Sequence, residues 1–159
     1  MSPKFLQLVT HPFKFRLFLL TKLPSAYFSG VRVRYVDEEK CLVTVPYKWF
    51  SKNPFRSTYF ACLSMAAEMS TGVLAMASTF EQKPAVSMLV LKMEANFIKK
   101  ASGITTFTCD EGSRIQQVVR EAMSSGKSVS VTVRAVGKDK EENIVADFAI
   151  TWGFKAKAS

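Results

Sequence analysis

The chain has 159 residues (17.8 kDa) and is 48% hydrophobic, enough for one domain with a real core and too apolar for a disordered chain. Cys41, Cys62 and Cys109 are odd in number, widely spaced and form no CxxC pair. That excludes a disulfide framework and points to buried thiols in a reducing, cytoplasmic setting. Of the net charge of +9, most sits early, because residues 1–60 carry 10 Lys/Arg against 3 Asp/Glu; an anionic partner and plain solubility are the two readings.

Residues 1–29 read as a helical leader and residues 30–159 as the domain it packs on. A helical patch spans Phe13 to Lys22 and stops at a Pro24-Ser25 break. Phe13, Leu17 and Leu20 recur on one stripe, with Lys14, Arg16 and Lys22 placed to face water. Such an element suits an anionic membrane surface, or it covers a sheet edge or a partner subunit. The longest apolar run here, Leu17 to Leu20, is too short for a signal-peptide core or a membrane span.

Strand patterns follow. Val31, Val33 and Tyr35 alternate with Arg32 and Arg34; Cys41, Val43 and Val45 alternate with Leu42 and Thr44. Asp37 to Glu39 is the turn between them. A polar loop with aromatics leads to Ser57, the expected N-cap of a helix running to about Thr79. Gly72 falls near the middle of that helix, where it signals close packing. From Ser87 to Ile98 the odd positions Leu89, Leu91, Met93, Ala95 and Phe97 are apolar, as in a long half-buried strand. Further strands are expected from Ile104 to Cys109, around Val129 to Val133, and from Ile144 to Trp152, with a helical insertion from Gly112 to Ser125. One long apolar helix and a mainly antiparallel sheet imply an α+β design in which the sheet curls around the helix.

Glu68 is the only formal charge between Arg56 and Glu81. Its neighbours Ala61, Cys62, Leu63, Met65, Ala66, Ala67 and Met69 make the helix apolar nearly all round, so it is expected to be buried. A buried carboxylate needs hydrogen bonds, a partner, or a raised pKa. Glu68 therefore either closes a structural network or serves as a tuned base. His11 is the only histidine and lies in the leader, which leaves Ser-His-Asp, Cys-His and histidine metal sites unsupported. No phosphate-loop or dinucleotide motif is present. No nucleic-acid motif accompanies the basic charge, so no nucleic-acid partner is expected.

The order of elements and three stretches resemble the hotdog-fold superfamily of acyl-CoA thioesterases. NPFRSTYFACLSMAAE (Asn53 to Glu68) looks like its loop and acidic helix, EANFIKKASG (Glu94 to Gly103) like its long strand and turn, and NIVADFAITW (Asn143 to Trp152) like its last strand. The AAE-x-S-x-G helix is most similar to an uncharacterised, thioesterase-like branch. The resemblance implies a curved antiparallel sheet wrapped around one long central helix, and hydrolysis of an acyl thioester. It implies that Glu68 activates water or attacks the thioester, that Asn53 positions water or substrate, and that the Phe60 backbone N–H holds the thioester oxygen. Tyr59 stands where many members have His. The frequent His-Gly-Gly at the helix start is Tyr59-Phe60-Ala61 here; a backbone donor survives that change, but the Phe60 ring must then point away from the thioester.

Ser64 and Thr71, one turn to either side of Glu68, are candidates to orient it, Thr71 within the catalytic set and Ser64, with Tyr59, as a substrate contact. Lys52, Arg56, Lys99 and Lys100 are candidates for the phosphates of coenzyme A, which enters as part of the substrate; no separate cofactor or metal is expected. The long strand from Ser87 to Ile98, left as an edge, would drive association into a dimer or a dimer of dimers. A non-catalytic acyl- or lipid-binding protein on the same scaffold is the alternative.

Overall fold

The structure is a computed structural model describing residues 2–157. The leader forms three helices, α1 (Pro3–Thr10), α2 (Pro12–Lys22) and α3 (Pro24–Ser29), where the sequence suggested a single patch. Each opens with a proline in its first turn, where the missing N–H has no helical partner to lose. Pro24 thus starts a helix instead of ending the helical segment. The side chains of Ser2 and His11 cap α1 and α2.

The buried stripe of α2 is Phe15 and Leu19, while Phe13, Leu17 and Leu20 point outward. This reverses the expected phase. The helix is apolar on two sides, so its own sequence offers two equivalent faces and packing chooses. Phe15 stacks on Phe18 at 5.8 Å, and Phe5 of α1 meets Phe80 at 5.3 Å.

Six antiparallel strands form one sheet in the order β1-β2-β4-β5-β6-β3: β1 (Arg32–Val36), β2 (Cys41–Val45), β3 (Val86–Phe97), β4 (Thr105–Cys109), β5 (Val129–Lys138) and β6 (Ile144–Ala156). Helix α4 (Phe60–Thr79) lies in its hollow and touches every strand. Ala66, Ala67, Ala75 and Ala77 are fully buried, and their small side chains let the helix sit close to Val43, Phe107, Val133, Phe148 and Ile150 on the inner face. The α4 N-cap is Tyr59, without a side-chain cap bond. Ser57 does not cap it, because its backbone and hydroxyl are both bonded to Asn53.

Strand β3 holds a second change of phase. Val86, Met88 and Val90 pair with Ala156, Phe154 and Trp152 and so face the core; a register shift between Val90 and Lys92 then brings Met93, Ala95 and Phe97 opposite Ile150, Phe148 and Ala146. Leu89 and Leu91 therefore lie on the outer face, with the Leu91 side chain over Gly153. A bulge adds one residue and flips the alternation, which an unbroken odd-position pattern conceals.

Helix α5 (Gly112–Ser125) bridges β4 and β5 and buries Ile115, Val119 and Ala122. Its start is pinned to the β1–β2 turn: the Gly112 N–H donates to the Glu39 carbonyl at 2.9 Å and the Ser113 N–H to the Glu39 carboxylate at 2.9 Å.

Candidate active site

The chain from Ser51 to Tyr59 folds into a small hairpin-like loop before α4. Lys52 bridges Thr58, and Asn53 holds the turn: its Oδ1 accepts from the N–H groups of Phe55 (2.9 Å) and Ser57 (3.2 Å), and its Nδ2 donates to Ser57 Oγ (3.1 Å). The Thr58 N–H and hydroxyl both donate to the Ala101 carbonyl, at 2.8 and 3.1 Å. Those two bonds draw the turn after β3 against the start of α4. Between them opens a cavity of about 780 Å³, lined by Lys52, Asn53, Tyr59, Phe60, Lys99 and Lys100, with Leu63, Phe97 and Ile98 as its apolar part. The N–H groups of Phe60 and Ala61 have no acceptor among the described residues. A bare helix start carries both unpaired donors and the positive end of the helix dipole, so this cavity suits an oxyanion.

Glu68 lies two turns further along α4, about 12 Å from Phe60 at the helical rise. It lines a separate, small cavity of about 80 Å³ with Phe15, Phe18 and Leu23 of the leader, and with Met76, Met88 and Trp152. Burial pushes its carboxyl above the ordinary glutamate value, by desolvation alone. Its carboxylate has no hydrogen bond or ion pair among the described residues. Gly72 explains how it fits: a Cβ there would sit 3.0 Å from Glu68 Oε1 and 3.2 Å from the Trp152 ring.

Phe60, Ser64, Glu68, Gly72 and Met76, spaced by four, are partly open along α4, with Ala61 and Met65 partly open beside them near its start. They make one seam running from the uncapped helix start to the carboxylate. Ser64 and Thr71 do not reach that carboxylate. The Ser64 hydroxyl donates to the Phe60 carbonyl (3.0 Å) and the Thr71 hydroxyl to the Glu68 carbonyl (3.0 Å), while Thr71 Oγ1 accepts from Trp152 Nε1 at 2.9 Å. Arg56 is exposed on the loop at φ 58°, outside the cavity wall. Lys99 is ion-paired with Asp139 at 2.7 Å, so of the proposed phosphate contacts only Lys52 and Lys100 both line the cavity and lack a carboxylate among the described residues. The Tyr59 and Phe60 rings touch at 4.8 Å, and Phe60 packs edge-on against Phe97 at 6.2 Å.

All three cysteines are buried and free. Burial holds the Cys41 thiol far above its ordinary value and pushes Cys109 up to about 12, so neither supplies a thiolate. Among the described residues no group of three His, Cys, Asp or Glu side chains is placed to hold a metal. Sequence reasoning missed the leader residues Phe15, Phe18 and Leu23 around Glu68. The one available signal was the second apolar stripe of α2.

The model of the family described as "Domain of unknown function (DUF4442)" matches residues 14–153. The chain belongs to the DUF4442 family. No curated protein matches it. Among solved structures, the DUF4442 chain is similar to a Pseudomonas aeruginosa protein of unknown function named as a probable thioesterase, at 20% identity and TM-score 0.78 over 92% of this chain and 97% of that one. It is also similar to a protein of unknown function from Chlorobaculum tepidum, at 16% identity and TM-score 0.76 over 91% and 94%. A mutant thioesterase from Pseudomonas aeruginosa aligns at 13% identity and TM-score 0.67 over 93% and 96%. With its six-stranded antiparallel sheet around α4, the DUF4442 chain has the hotdog fold.

Proposed function

We propose that this chain hydrolyses acyl-CoA thioesters. Glu68 activates water or attacks the carbonyl carbon, and the N–H of Phe60 stabilises the oxyanion. The observation that carries the reading is the open seam on α4, which joins unpaired helix-start amides to a desolvated carboxylate. The shared fold with proteins named as thioesterases supports it. Lys52 and Lys100 would meet the coenzyme A phosphates, and the small cavity beside Glu68, walled by pliable methionines, would take the start of the acyl chain. Free, buried thiols agree with a cytoplasmic setting.

Within one chain the two ends of the seam are too far apart to act on one thioester. The reading therefore takes two copies, paired through β3, whose twelve residues are bonded to β6 on one side only. Antiparallel pairing about a two-fold axis sets the two α4 helices antiparallel, so that Glu68 of one copy meets the helix start of the other. Sedimentation at micromolar concentration is expected to show a dimer or a dimer of dimers. A monomer would remove the shared site.

Hydrolysis of a series of acyl-CoA esters, followed by release of the thiol, tests the activity itself. Affinity for the esters is expected to fall with rising salt, and dephospho-CoA esters are expected to bind more weakly than the full compounds. Equal, salt-independent affinity would leave Lys52 and Lys100 as ordinary surface charge.

One observation favours a second reading, a non-catalytic acyl or lipid carrier. The Asn53 amide is committed to its own loop and nothing among the described residues bonds the Glu68 carboxylate, so no protein group yet holds a water between them. Tight binding of acyl-CoA without turnover on any chain length would establish that reading.

A further inference from the structure

We propose that the leader and the turn around Trp49 form a docking surface for an anionic phospholipid bilayer. The outer stripe of α2 leaves large apolar side chains in solvent: Phe13 is 81% exposed and Leu17 62%, with Leu20 beside them. Trp49 is 75% exposed, and Phe28 and Phe50 are each about half exposed. A continuous run of contacts joins these regions. The Arg16 guanidinium lies over the Tyr27 ring at 4.3 Å, Tyr27 meets Phe28 at 5.3 Å, Phe28 stacks on Phe50 at 5.6 Å, and Phe50 touches Trp49 at 5.6 Å. Helix α2, helix α3 and the turn before α4 thus share one surface.

Charge selects the occupant. No Asp or Glu precedes Asp37, and none lies between Glu39 and Glu68. Lys14, on the flank of the outer α2 stripe, and Lys48, next to Trp49, are exposed and have no carboxylate within ion-pair distance among the described residues. A second copy docked face to face about a two-fold axis would set these lysines against each other with no acid on either side. An anionic bilayer supplies both missing complements: an apolar boundary for Phe13, Leu17 and Trp49, and phosphates for the lysines. Leucine and aromatic side chains among lysines are the composition that settles at the headgroup boundary.

The test uses the full chain without substrate, so it stands apart from the thioesterase reading. Protein is sedimented with vesicles of phosphatidylcholine alone, or of phosphatidylcholine and phosphatidylglycerol in equal parts. Binding is expected to the anionic vesicles only, and to weaken with salt. Trp49 emission should shift to the blue on binding. Trp152 should stay silent, since it is buried with its indole N–H bonded to Thr71, and Trp49→Phe should abolish the shift. Phe13→Ser with Leu17→Ser should weaken partition by about tenfold or more, and Lys14→Glu with Lys48→Glu by about tenfold. Three results would overturn the proposal: no sedimentation with anionic vesicles at low salt, equal binding to neutral ones, or unchanged binding by the Phe13/Leu17 variant. A smaller oligomer for that variant in the absence of lipid would overturn it too, by making this face a contact between copies.

Discussion

Glu68→Gln is expected to lower acyl-CoA turnover by about a hundredfold or more, the usual cost of removing a general base or carboxylate nucleophile, in a chain that remains folded. Gln keeps the shape that fits over Gly72 and removes only the ionisable oxygen. Desolvation raises the Glu68 pKa, and the sign of the consequence can be fixed. The folded chain holds this proton at pH values where the unfolded chain has released it, so stability falls as pH rises through that interval. The Gln variant should therefore melt above the parent at neutral pH, with the gap closing in acid below the ordinary carboxylate range. Parent turnover should rise with pH along the same titration, because the ionised form does the work. Parent-like turnover by the variant, in a pH profile without that inflection, would make Glu68 a structural residue.

Gly112→Ala is expected to be the most damaging of the small substitutions, by about 3 kcal/mol or more from overpacking and broken hydrogen bonds together. A Cβ at this position would lie 2.1 Å from the Glu38 carbonyl oxygen and 2.7 Å from the Glu39 Cα. Both are backbone atoms, so no side chain can rotate away. Relief requires α5 to lift from the β1–β2 turn, which breaks the Gly112 and Ser113 bonds to Glu39 and the Gln116 Nε2 bond to the Glu38 carbonyl at 3.0 Å. Urea unfolding of parent and variant measures the loss. A difference below about 1 kcal/mol would show that the turn yields easily.

The strands and α4 were legible because their patterns are local: alternation marks the sheet, and the uncharged run around Glu68 marks the core helix. Three features were not. The β3 bulge leaves no trace when apolar residues flank it on both phases. The orientation of α2 is undetermined by a sequence with an apolar stripe on each side, so Phe15 and Leu19 were overlooked in favour of Phe13, Leu17 and Leu20. The capping role fell to Tyr59 because the Ser57 hydroxyl is held by Asn53 within the loop, a competition between local bonds that propensity does not resolve. For the candidate site, Asn53, Tyr59 and Phe60 are neighbours in sequence. Lys99 and Lys100 join them only through the Thr58 bonds to Ala101, which are contacts of tertiary structure. The separation of Glu68 from that cluster follows from helix geometry alone, but its aromatic cover comes from the leader, far away in the chain.

The bulge between Val90 and Lys92 makes β3 two tools in one strand. Before it, Leu89 and Leu91 shape the convex outside of the molecule; after it, Met93 and Phe97 face the side where Phe60 stands. A designer could therefore alter the outer wall at Leu89 and Leu91, or the mouth of the large cavity at Phe97, as separate exercises. Deleting Leu91 would remove the bulge without mixing the two, because Val90 and Lys92 already pair with the successive residues Trp152 and Thr151. Strict alternation would return with Met93 and Phe97 still on the inner side, whereas deleting a residue before the bulge would swing the upstream half of the strand to the opposite face.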